Sequence, residues 1–178
     1  MKNPHKRVAF FRIVTFIGNS HMISNTLLSM YGGLTMRQTD TIRQMAEALS
    51  NSLYAEEMVC SMASQLHYIP ETAQLSGLKE THDELIPASY HRVTAVGTGH
   101  RILQGDNAPT LWNVIEYCIR EAQEKDAAVM VGLNKMFAAA PEAYRGFVNQ
   151  IIEWQKYKER TFQIAKTAYE SIKGPVRF

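Results

Sequence analysis

The chain is predicted to be all-α: an up-down-up-down four-helix bundle with an N-terminal accessory helix. Three observations support this. Apolar residues recur at helical spacing along four long stretches, glycine and proline punctuate the gaps between them, and the gaps are short enough to send neighbouring helices back antiparallel. A chain of 178 residues suits one domain that buries a core without disulfides or metals to staple it. No internal repeat, low-complexity tract or long linker divides it further, so the expected organisation is an N-terminal apolar segment over residues 1–35 and a bundle domain over 36–178.

The first segment opens with Lys2, Lys6 and Arg7 and continues into an apolar run from Val8 to Gly18. Arg12 interrupts that run and no small-x-small cleavage site follows, so it reads as part of the mature protein and not as a signal peptide. It is too short to span a bilayer before Asn19, Ser20 and His21. Phe10, Phe11, Ile13, Val14, Phe16 and Ile17 make it an interface segment, expected to pack on a second subunit. Its alternatives are packing on the chain's own bundle and lying on a membrane surface, and its aromatic and β-branched content also permits a strand.

Beyond Tyr31-Gly32-Gly33, the punctuation sets four helices. Pro70 and Gly77 bracket a connection, Gly105 to Pro109 form a second, Pro141 starts the last helix and Gly174-Pro175 end it. The predicted spans are 36–68, 79–104, 109–138 and 141–173. At about 100° per residue, the first helix aligns Ile42, Met45, Leu49, Leu53, Glu56, Cys60, Ala63 and His67 on one stripe. The second is less regular, because Pro87 interrupts it; Ile86, Tyr90, Val93, Gly97 and His100 are its expected inner positions. The third aligns Leu111, Val114, Ile115, Cys118, Ala122, Val129, Leu133 and Met136, with Lys125 and Asp126 inside the arc. In the fourth, Tyr144, Phe147, Val148, Ile151, Trp154, Phe162, Ala165, Tyr169 and Ile172 share a stripe with Lys158.

Four of those stripe positions are charged, Glu56, Lys125, Asp126 and Lys158. Counting outward from each turn places Glu56, Asp126 and Lys158 at one level, with Tyr90 or His91 and Lys125 nearby. Buried charges cost several kcal/mol unless they are paired, so this layer is the candidate site. Its expected members are Glu56, Asp126, Lys158 and Tyr90, with Asp126 and Lys158 as an ion pair.

Leu49-Ser-Asn-Ser-Leu53-Tyr-Ala-Glu56-Glu57 resembles the first-helix carboxylate segment of the ferritin-like four-helix superfamily. Arg101-Ile-Leu-Gln-Gly105-Asp-Asn-Ala-Pro109 is similar to the end of its second helix and the following turn. Over residues 40–172 the resemblance implies a bundle whose members hold two metals through carboxylates and Glu-x-x-His pairs. This chain contains no Glu-x-x-His, and no histidine follows His100; Glu153-Trp-Gln-Lys156 carries lysine where the imidazole would stand. Di-iron chemistry is therefore not carried over, and a lysine ammonium is expected to supply the positive charge instead. The alternative metal set is Glu56, Glu57, His91 and Asp126.

Phe16-Ile-Gly-Asn-Ser20-His21 resembles the nucleophile block of the SGNH hydrolases, but the Asp-x-x-His that would activate the serine is missing, so Asn19-Ser20 reads as a turn or cap. His82, His91 and His100 recur every nine residues and fall on different faces. His82-Asp83 makes half of a metal site, needing help from outside its own helix. The formal charge of +2 is dispersed, which argues against nucleic-acid binding. Cys60 and Cys118 lack zinc-site spacing and read as reduced thiols of a cytoplasmic protein. The functional expectation is a non-catalytic interaction or structural protein without cofactor, a homo-oligomer or the mate of a protein partner. A ligand-binding bundle and a peripheral membrane protein are the alternatives.

Overall fold

A computed structural model describes residues 36–176. They form four helices, α1 Met36–Leu66, α2 Leu78–Leu103, α3 Pro109–Ala139 and α4 Glu142–Lys173, and no strand is present among the described residues. Each boundary falls within two residues of its expected place. The expected N-terminal accessory helix and the expected interface residues Phe10, Phe11, Ile13, Val14, Phe16 and Ile17 lie outside the described residues.

Every helix touches two neighbours, α1 meeting α2 and α4 while α3 meets the same two, which makes a closed ring of antiparallel elements. Direction is fixed by matched contacts: Ser50 lies by His100 and Cys60 by Ser89 across α1 and α2. Gln123 meets Gln163, and Glu116 meets Tyr169, across α3 and α4. The punctuation acts as expected. Gly77 leads into α2 at φ +88°, Pro109 occupies the first turn of α3, and the Gly174 N–H donates to Glu170 O at the end of α4.

The buried positions step alternately by three and four residues. In α1 they are Ile42, Met45, Leu49, Ser52, Glu56, Val59, Ala63 and Leu66, and in α2 Leu78, Thr81, Leu85, Ala88, Arg92, Ala95, Gly99 and Ile102. This is the spacing of left-handed, knobs-into-holes bundles.

That pattern corrects the reading of α2. Ile86, Tyr90 and Val93, expected to face inward, are 71, 68 and 55% exposed, and Gly97 and His100 are exposed too. Bulk does not mark burial here: between Leu85 and Ile102 the inward-stepping positions are Ala88, Arg92, Ala95 and Gly99. Gly99 shows why: a Cβ there would lie 3.1 Å from Leu49 Cδ1, so α1 and α2 approach closely only over a small residue. Nor does Pro87 interrupt the helix, which runs through it unbroken. One missing backbone hydrogen bond is outweighed by packing along the flanking turns. In α1 the inward stripe drifts from the expected one toward its C-terminus, where Val59 and Leu66 are buried and His67 is exposed.

The core falls into two apolar clusters. One gathers Met45, Leu49, Ile115, Ile119, Phe162 and Tyr169; the other gathers Val59, Leu66, Leu85, Leu133 and Ile151. Between them every helix contributes a charged residue.

Candidate functional site

Glu56 from α1, Arg92 from α2, Asp126 from α3 and Lys158 from α4 meet in the layer that separates the two clusters. They are 1, 0, 4 and 0% exposed. Going round the ring of helices the charges alternate, so each carboxylate lies between two cations. Lys158 Nζ is 2.6 Å from Glu56 Oε2 and 3.1 Å from Asp126 Oδ1. Arg92 places Nη1 3.1 Å from Glu56 Oε2 and directs Nη2 to Asp126 Oδ2. Two acids and two bases cancel, which is what burial of four charges demands.

A second tier of hydrogen bonds surrounds the four charges. Arg92 Nε donates to Ser52 Oγ at 2.9 Å, and that hydroxyl donates to the Lys158 carbonyl at 3.1 Å. Ser89 Oγ donates to Glu56 Oε1 at 3.1 Å, with the Cys60 thiol 3.7 Å from the same oxygen. Gln155 Nε2 approaches Asp126 Oδ1 at 3.3 Å and Glu159 Oε1 at 2.9 Å. The Arg92 guanidinium lies 4.6 Å from the centre of the Phe162 ring, a cation–π contact with the apolar cluster.

Burial opposes ionisation of Asp126, but Arg92 and Lys158 more than offset it and hold its carboxyl below the ordinary 3.8. The neighbouring Cys60 thiol moves the other way, pushed up to about 11 first by burial and then by Glu56. It is a poor nucleophile at neutral pH. Cys118 is likewise raised to about 11, by burial and by Glu121.

Among the expected members, Glu56, Asp126 and Lys158 come together. Tyr90 does not: it stands on the outer face of α2, and its place in the layer belongs to Arg92, two residues on. Lys125 points away and pairs with Glu84 at 2.9 Å. The alternative metal set is not assembled either. Glu57 is exposed, and His91 packs edge-on against Tyr90 and Tyr117, 5.5 Å from each ring centre. No group of three or more His, Cys, Asp or Glu is arranged to hold a metal among the described residues. Arg92 itself escaped the sequence reading because an arginine counts as a surface residue in a hydrophobic pattern. Its position on the three-four repeat of Leu85, Ala88, Ala95 and Gly99 was the available signal.

A groove of about 650 Å³ lies between α1 and α4, lined by Tyr54, Met58, Met62, Trp154 and Tyr157. Trp154 stands edge-on to both Tyr54 and Tyr157 at 5.9 Å. No helix among the described residues is long and apolar enough to cross a membrane. Comparison with protein-family models, curated proteins and solved structures finds no match.

Proposed function

We propose that this is a non-catalytic helical-bundle protein that self-associates, with its N-terminal apolar segment supplying the contact surface and the buried charge layer fixing the register of the bundle. The single observation carrying the reading is the closure of the layer. Its four charges neutralise one another and are walled off by two apolar clusters, so the layer serves architecture, while the aromatic and methionine surface lies outside, between α1 and α4. Methionine and aromatic side chains adapt to a mating surface at low cost in ordering. The expected mate is a second copy of the chain, in a reducing, cytoplasmic setting that suits two unpaired thiols, Cys60 and Cys118.

The ligand-binding alternative is less well supported, because guanidinium and ammonium groups fill the space where ions would sit between Glu56 and Asp126. Sedimentation velocity of the full-length protein tests the self-association. A dimer or larger assembly is expected at micromolar concentration, shifted toward monomer by Phe11→Glu with Val14→Glu while far-UV circular dichroism is kept. A monomeric wild type, or flotation of the wild type with liposomes in place of self-association, would overturn the reading.

A further inference from the structure

Two histidines from different elements meet at the end of the bundle opposite the cluster of Met45, Ile115 and Tyr169, away from the charge layer. His67 is the first residue past α1 and His82 lies in the second turn of α2; their ring centres are 4.5 Å apart with planes inclined at 50°. His82 Nε2 is buried and has no hydrogen-bond partner. An orphaned ring nitrogen is costly in a packed protein and calls for a physical explanation. The groups bearing on the ring are His67 from the α1 end and Asp83 from its own helix. Burial first, then His67, lowers the His82 pKa against the opposing pull of Asp83.

We infer that His67 and His82 form a two-imidazole site for a borderline divalent transition metal, such as Ni²⁺, Cu²⁺ or Zn²⁺, which clamps the end of α1 to the start of α2. The chemistry follows from the donors. Neutral imidazole suits these ions, whereas Mg²⁺ and Ca²⁺ require oxygen ligands. A metal bonded at about 2.0–2.1 Å to each nitrogen needs the two nitrogens roughly 3–4 Å apart, within reach of rings whose centres are separated by 4.5 Å. His67 is exposed on the connection and can turn its ring toward a shared ion. No third His, Cys, Asp or Glu completes the set among the described residues, so the exposed His67 side has to supply the approach to the buried His82 nitrogen. His82 and Asp83 lack a second imidazole within their own helix; the fold supplies it from α1.

The test is calorimetric titration of tag-free, full-length protein with Ni²⁺ alone at pH 7.5, paired with thermal melts in the same solutions. One ion is expected to bind per chain at this site and to raise the melting midpoint. His67→Ala, at an exposed position that leaves the fold intact, is expected to weaken that binding by about tenfold or more and to abolish the midpoint shift. His82→Ala should do the same, and His91→Ala, on the α2–α3 face, should do neither. Absence of a metal-dependent midpoint shift in the wild type, or a shift that survives His67→Ala, would overturn the assignment.

Discussion

Asp126 and Lys158 lie 3.1 Å apart with almost no exposure, and their worth depends on what remains when one is removed. Lys158→Met leaves two carboxylates facing Arg92 alone, and Asp126→Leu leaves two cations facing Glu56 alone; each is expected to cost about 3–5 kcal/mol. The double variant keeps the neutral Glu56–Arg92 pair and should cost clearly less than the two losses combined. Denaturant unfolding of the four proteins in the cycle measures the difference, and strictly additive losses would show that the pair is uncoupled. Sequence phase was enough to place these two residues together. It could not place Arg92, because a long cationic side chain normally extends to water, and only its three partners from α1 and α3 make burial tolerable.

At the level of a helix, glycines with the same name do different work. Gly97 faces solvent on α2, and a Cβ there would meet nothing within 4 Å, so its flexibility is a cost without a return. Gly97→Ala is expected to stabilise the protein by about 0.5–1 kcal/mol. Gly132 on α3 is the contrary case, since a Cβ there would collide with Thr81 Oγ1 and press on Gly77 O at 3.1 Å. Gly132→Ala should therefore destabilise by about 1–3 kcal/mol as α2 and α3 are forced apart. Thermal melts distinguish the two, and equal shifts would show that close approach does not decide the outcome. The ends of these helices were legible from Gly and Pro alone. The inner face of α2 was not, because Ala88, Ala95 and Gly99 carry little hydrophobic signal while Ile86, Tyr90 and Val93 carry a strong one outward.

Over the whole bundle, the charge layer ties stability to acidity. The folded-state pKa of Asp126 is depressed below 3.8 because the two cations outweigh its burial. Its contribution is thus fully present above the unfolded value of about 4 and is lost as pH falls through the lower folded value. Protonation of Asp126 also removes a counter-charge from both Arg92 and Lys158, so acid loosens the layer that all four helices share. Denaturant midpoints recorded from pH 7 to pH 3 are expected to fall more steeply for wild type than for Asp126→Asn, which has no carboxylate to titrate there. Equal slopes would assign the acid sensitivity to other carboxylates.

Four helices, their ends and the level at which Glu56, Asp126 and Lys158 meet were determined by the sequence alone, because helical periodicity and Gly/Pro breaks are local properties of the chain. The tertiary structure decided which face of α2 is buried, that Arg92 completes the layer in place of Tyr90, and that His67 joins His82. Each of these depends on the distance between helix axes and on partners far along the chain, which local pattern does not encode: a small residue becomes a contact, and an arginine becomes a core residue, only when neighbouring helices supply the surface and the opposite charge.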